Sequence, residues 1–286
     1  KDQLFKFGVR YTTKAFGAIY SASTQGDNYY QDRGFLQRVD NYDAERDTTI
    51  RLGYTSHTAG MDYRIFPKKE NTKWLYSTWR LYNTLYLNND LSFNESNTRL
   101  SYTLTYNGRS ELGIEWSNRV IDLLFPFSFT DATPLPAKSY QFNYLEVSFT
   151  SDSRKTFSYE LTGSYGGFYN GTRSNLMLTM KYRQQPWGSF GATLDFNDLQ
   201  FPDPYGSRQI FLLGPRIEIG FSRNLFWTTF LQWNTQGDNF NINSRLQWRF
   251  KPMSDVFLVY SDNYGLELFA PKNRALVLKV NYWLNL

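Results

Sequence analysis

The stretch Phe240-Asn241-Ile242-Asn243-Ser244-Arg245-Leu246-Gln247-Trp248-Arg249-Phe250 alternates between apolar and polar side chains. In an extended chain successive side chains point to opposite faces. Phe240, Ile242, Leu246, Trp248 and Phe250 therefore share one face, and Asn241, Asn243, Arg245, Gln247 and Arg249 share the other. Such a strand separates two unlike environments. A soluble sandwich hides its apolar face in a small core, whereas a membrane barrel turns that face to lipid and keeps water inside.

The same phase recurs along the chain. Leu176, Leu178, Met180 and Tyr182 oppose Arg173, Asn175, Thr179 and Lys181. Phe190, Ala192, Leu194 and Phe196 oppose Ser189, Thr193, Asp195 and Asn197, and Leu276, Leu278, Val280, Tyr282, Leu284 and Leu286 oppose Lys279, Asn281 and Asn285. The pattern predicts about fifteen strands, roughly at 4–11, 15–23, 47–65, 74–87, 97–106, 110–119, 139–150, 156–168, 171–183, 188–197, 208–222, 224–234, 240–250, 255–262 and 275–286. The phase slips near Tyr144, where a bulge is expected, and again around His57 to Gly60. The segments 74–87 and 255–262 alternate poorly.

Of the 286 residues, 24 are Phe, 22 Tyr and 8 Trp, yet only 41% are hydrophobic. The mean hydropathy is −0.54. No apolar run reaches the roughly 18 residues that a membrane helix needs. A barrel is hydrophilic on average because every second residue faces water. The expected fold is therefore all-β: a transmembrane antiparallel up-and-down β-barrel forming one continuous domain over 1–286. Cysteine is absent, which fits an oxidising envelope compartment. The net charge of +5 is spread along alternating strands rather than gathered in a patch, so nucleic acid is not an expected partner.

Connections also alternate. Short ones fall at 12–14, 107–109, 151–154, 184–187, 223–224 and 251–254, and Asn107-Gly108 is a strong hairpin signal. Long ones fall near 24–46, 88–96, 120–138, 198–207 and 263–274. Short turns of bacterial barrels face the periplasm and long loops face outward, which puts the C-terminus on the periplasmic side. The strand at 4–11 then descends from the outer rim. An even-stranded barrel needs at least one more strand, so the chain is expected to be the C-terminal portion of a barrel of 16 strands or more.

Little in the sequence reads as catalytic. One histidine, His57, and no cysteine argue against zinc sites and against Ser/His or Cys/His catalysis. Glu111 and Glu115 share a face, but four strand residues separate them by about 13 Å, wider than the roughly 5–9.5 Å of glycosidase pairs. A cross-strand pair such as Asp195 with Glu218 is read as a wall ion pair. No enzyme activity, cofactor or metal is expected.

The inward set leans basic: Lys6, Arg10, Arg51, Arg99, Arg173, Lys181, Arg216, Arg245, Arg249 and Lys279, against Glu111, Glu115, Glu160, Asp195 and Glu218. It reads either as an anion-leaning wall or as a solvated wall whose charges pair across strands. Trp116, Trp187, Trp227, Trp233 and Trp248 read as interfacial girdles rather than sugar platforms. The apolar segment at 121–129, with Leu123, Leu124, Phe125, Phe127 and Phe129, reads either as a partner contact or as a constriction.

From Ser164 onward the chain resembles a known family. The matching pieces are 164–173 (Ser164-Tyr165-Gly166-Gly167-Phe168-Tyr169-Asn170-Gly171-Thr172-Arg173), Asn224-Leu225-Phe226, Leu231-Gln232-Trp233-Asn234, 243–250, 254–260 and 274–280. They are similar to the C-terminal barrel of large outer-membrane proteins, common in Bacteroidota, that carry an N-terminal domain like carbohydrate-binding module family 9. This chain departs from many outer-membrane barrels in ending on Leu286 rather than an aromatic. The resemblance implies a non-enzymatic outer-membrane channel, or the membrane anchor of a carbohydrate-handling protein, with glycans bound by a separate N-terminal module. The alternative is a structural or accessory subunit of a larger outer-membrane assembly. The expected partners are outer-membrane lipid and lipopolysaccharide, with other outer-membrane or periplasmic proteins.

Overall fold

The computed structural model describes residues 3–30, 38–69 and 71–284. Part of the predicted 24–46 loop (31–37), as well as Asn285 and Leu286, lies outside them. The described chain is all-β. Its strands are β1 (Leu4–Thr12), β2 (Phe16–Gln25), β3 (Asp40–Asp43), β4 (Thr48–Arg51), β5 (Tyr54–Ile65) and β6 (Trp74–Asn88). Next come β7 (Phe93–Tyr106), β8 (Glu111–Asp122), β9 (Ser139–Thr150), β10 (Phe157–Phe168), β11 (Gly171–Gln184) and β12 (Gly188–Gln200). The chain continues with β13 (Ser207–Gly220), β14 (Leu225–Asn234), β15 (Asn239–Lys251), β16 (Ser254–Tyr264) and β17 (Pro271–Asn281). Fifteen of them form one up-and-down sheet in chain order, and β3 pairs with β4 in a small separate hairpin. The fifteen sheet strands correspond to the fifteen predicted segments. The β3–β4 hairpin falls at the start of the predicted 47–65 strand and in the loop before it.

Two compact units divide the chain. The first holds 1–148, 164–174 and 198–208, and the second holds 149–163, 175–197 and 209–286. In the first, one row of directly paired residues runs Tyr11, Ala18, Met61, Leu81, Leu100, Trp116 across β1, β2, β5, β6, β7 and β8. The neighbouring row, on the opposite face, runs Arg10, Ile19, Gly60, Tyr82, Arg99, Ser117. Within these paired registers the first face carries no Asp, Glu, Lys or Arg. In the second unit Ile219, Trp227, Leu246, Leu258 and Leu278 form one row, while Glu218, Thr228 and Arg245 lie on the other face. The predicted split of β15 into two unlike faces is thus the observed one.

Neither predicted slip is present. The β2–β5 and β5–β6 ladders run without a register shift through His57 and Gly60. His57 stays on the apolar face, opposite Leu85, because the Tyr20 hydroxyl meets its Nδ1 at 2.9 Å. Gly60 stays on the polar face because the Tyr82 ring lies where a Cβ would stand. In β9, exposure alternates evenly: Tyr140 and Phe142 are buried, while Leu145 and Val147 are 48% and 44% exposed. Tyr140, Phe142 and Tyr144 therefore share a face with Glu146, and the bulge expected near Tyr144 is replaced by a polar face whose loop end is aromatic.

The turns refine the predicted rhythm. The Asn107-Gly108 hairpin exists, but the positive φ falls on Arg109 (63°), which makes it a three-residue loop. Asp152 shapes the β9–β10 turn, taking the Arg154 amide and guanidinium on its carboxylate at 2.8–3.2 Å. Short and long connections alternate only in part. At the predicted long-loop end, 169–170 and 235–238 are short, and 66–73 at the other end is longer.

Candidate functional site

Among the described residues the buried apolar side chains do not form a central core. They gather at the loop end of the first unit, where Ile121, Leu135, Tyr140 and Phe142 are packed by Leu123, Phe129, Phe168, Tyr169, Phe201 and Tyr205. Phe129 is the hub, with ring centroids 4.8 Å from Phe127, 4.9 Å from Phe168 and Tyr169, and 5.9 Å from Phe201. Such pairs contribute roughly 0.5–1.5 kcal/mol each beyond simple area burial.

The 123–138 segment that supplies Phe129 is folded back on itself by mutual backbone bonds between Phe127 and Leu135. It is tied to the Phe201–Gly206 turn by Thr130 Oγ1, which donates to the Tyr205 carbonyl at 2.6 Å. Ala44 N, in the β3–β4 hairpin, donates to the Pro126 carbonyl at 3.0 Å. Leu123, Leu124, Phe125, Phe127 and Phe129 are all half-buried, and Leu123 and Phe129 pack against the buried cluster. The residues it leaves exposed are Asp131–Thr133 and Pro136–Lys138.

Beside this cap lies a cavity of about 280 Å³. Glu95, at the loop end of β7, is 4% exposed and faces the same side as Tyr86 and Ile121. Arg119, two residues before Ile121 on β8, donates through Nη2 to its Oε1 at 2.5 Å. Arg38, from the long connection between β2 and β5, reaches its Oε2 at 2.6 Å. The Arg38 guanidinium also lies 4.0 Å above the Tyr86 ring and bonds Asn94 Oδ1 at 3.2 Å. Tyr86 in turn meets Tyr54 edge-on at 5.6 Å. Tyr169 closes the far side. Its φ of 53° is unusual for a bulky residue, and the aromatic cap holds it there.

No protein-family model and no curated protein matches this chain.

The predicted basic set divides by location. Lys6 and Arg10 share the polar face of the first unit with Arg99 and Arg119. In the second unit Arg216, Arg245, Arg249 and Lys279 share the polar face. Arg216 is paired with Glu218 at 2.6 Å and Arg249 with Asp255 at 3.2 Å. Lys181, Arg245, Gln247 and Glu218 line a second cavity of about 450 Å³ at the short-turn end of that unit. Arg173 lies 5.8 Å from the Phe168 ring. Arg51 is not a wall residue. It belongs to the β3–β4 hairpin, where Nη2 donates to the Tyr29 carbonyl at 2.5 Å.

The carboxylates that invited an acid–base reading take local partners. Glu111 accepts from Thr105 Oγ1 at 3.0 Å, and Glu115 accepts from Ser117 Oγ at 3.2 Å. Asp195 is held by Asn175 Nδ2 at 2.7 Å, and Glu218 by Arg216 and Ser189. Trp116, Trp187, Trp233 and Trp248 are exposed, whereas Trp227 is half-buried and donates from its indole N–H to Ser244 Oγ at 2.9 Å.

Sequence reasoning missed the Arg38–Glu95–Arg119 cluster. Its members lie far apart in sequence, and Arg119 was read only as the end of a strand. One signal was available. Glu95 sits in phase with Arg99, so it belongs to the polar face and needs a cation there.

Proposed function

We propose that this chain is the wall of a bacterial outer-membrane β-barrel, non-enzymatic, acting as a channel or membrane anchor associated with carbohydrate handling. One observation carries the reading: apolar side chains, many of them large and exposed, line up in cross-strand rows opposite a face that holds most of the charges. Leaving so many Leu, Phe and Trp side chains in water would forgo roughly 1.5–3 kcal/mol for each one that could be fully buried. A lipid environment recovers that energy. An Arg or Lys near the bilayer midplane would cost about 2–4 kcal/mol, and the rows exclude them. On the apolar face of β14–β17, between the loop end and Lys251, which pairs with Ser254 at the turn end, no described residue is charged. At the loop end Asp262 and Arg274 pair at 2.7 Å. The resemblance of the 164–286 region supplies the carbohydrate association, and the exposed tryptophans supply the girdle expected of such a wall.

In this reading the 123–138 segment narrows the loop end. Planar-bilayer recording tests the proposal. The protein is expected to insert and to give small, salt-dependent current steps. Replacing 124–134 with a short Gly-Ser linker is expected to raise the step size severalfold. A protein that gives no insertion and stays in the aqueous phase on detergent cloud-point separation would contradict the proposal.

A further inference from the structure

We infer that the cavity beside the cap is a binding site for a neutral sugar unit about the size of one hexose. The inference rests on the barrel reading only in placing this end of the strands outside the cell. The chemistry of the site stands on its own.

The cavity volume of about 280 Å³ sits just below the roughly 300–1,000 Å³ of drug-sized sites, so one ring fits and a long ligand does not. Its lining mixes donors and acceptors: Arg38, Arg119, Asn88 and Asn94 supply N–H groups, while Glu95 and Asp122 supply carboxylates. Sugar hydroxyls both donate and accept, and this mixture suits them. Tyr54 and Tyr169 add ring surface for the apolar face of a pyranose.

Charge decides against an anion. Two guanidiniums and two carboxylates line the space, so its formal balance is zero. Both guanidiniums already bind Glu95, and an incoming carboxylate or phosphate would compete with that buried charge. A neutral polyol needs no such exchange.

The groups are also held in place before a ligand arrives. Arg38 is fixed by Glu95, Asn94 and the Tyr86 ring, and Asn94 Nδ2 donates to Asn88 Oδ1 at 2.8 Å. The Arg119 Nε is buried without a hydrogen-bond partner. Side chains ordered in advance lower the entropy cost of binding.

The test is calorimetric titration of the detergent-solubilised full chain with glucose, galactose, mannose, N-acetylglucosamine and their disaccharides. Glucuronate and inorganic phosphate serve as anionic probes. At least one neutral sugar is expected to bind with a dissociation constant of about 1 mM or tighter. Leu124→Trp fills the cavity without removing a polar partner and is expected to weaken that binding at least tenfold. Arg119→Lys keeps the charge, loses the fork, and is expected to weaken it severalfold. A heat-modifiable gel shift unchanged from wild type shows that each variant is folded.

Binding of free disaccharides identifies a soluble glycan as the source. Binding only to vesicles bearing lipopolysaccharide identifies the membrane's own sugars. Tighter binding of glucuronate or phosphate than of any neutral sugar would overturn the assignment. Unchanged sugar affinity in folded Leu124→Trp, or no sugar bound at all, would do the same. Cloud-point partitioning reads the barrel proposal separately, so failure of one leaves the other standing.

Discussion

Asp152 shows how a single side chain sets a turn. Its carboxylate takes the Arg154 side chain first and the Arg154 amide second, and these bonds hold its pKa at about 2, against 3.8 for a free aspartate. The folded value lies below the unfolded one, so the turn's contribution to stability is present above about pH 3.8 and is lost as pH falls through about 2. Carbon-13 detection of the Asp152 carboxyl in micelles is expected to show a midpoint near 2. Asp152→Asn is expected to remove that acid-limb dependence and leave neutral-pH folding nearly intact. Charge partners of this kind were not legible in the sequence. Asp152 and Arg154 were placed in a turn, but alternation says nothing about which charges meet. Arg38, Glu95 and Arg119 are the sharper example, because contact among them depends on registers and on a loop path that no local pattern specifies.

Strands were legible to the extent that their two faces differ. β15 was read correctly because Leu246 and Trp248 sit between Arg245, Gln247 and Arg249. β16 read poorly because both of its faces are apolar, with Phe257 and Val259 opposite Val256 and Leu258. β9 was read with a false bulge because its polar face begins with Tyr140 and Phe142, which pack into the aromatic cap. The in-phase Glu146 marked the true face. β3 and β4, four residues each, are too short to show a period. The element-level prediction follows from β15. Leu246→Arg places a cation between Trp227 and Leu258 on the apolar face and is expected to cost roughly 2–4 kcal/mol of folding stability in vesicles. Gln247→Arg, one residue on, is expected to cost under about 1 kcal/mol. Urea titration of vesicle-folded protein compares the two, and equal costs would remove the distinction between the faces.

At the scale of the molecule, stability comes from an unusual place. A small buried apolar cluster sits under the loops of the first unit, and many large apolar side chains are exposed on strand faces. In the proposed reading lipid covers the apolar face. The all-β class and the fifteen-strand up-and-down order were legible because alternation is a direct imprint of two environments. The cap was legible only as an odd apolar loop, since whether Phe129 turns inward depends on Phe168 and Phe201, contributed by later strands and turns. The chain contains no cysteine, so single cysteines can be introduced without background. A nitroxide scan of β15 from Asn239 to Lys251 in lipid vesicles is the most direct test of the two-environment wall. Oxygen accessibility is predicted to peak at 240, 242, 244, 246 and 248, and accessibility to a water-soluble nickel chelate at 241, 243, 245, 247 and 249. Loss of the two-residue period, or nickel accessibility equal on both faces, would contradict it.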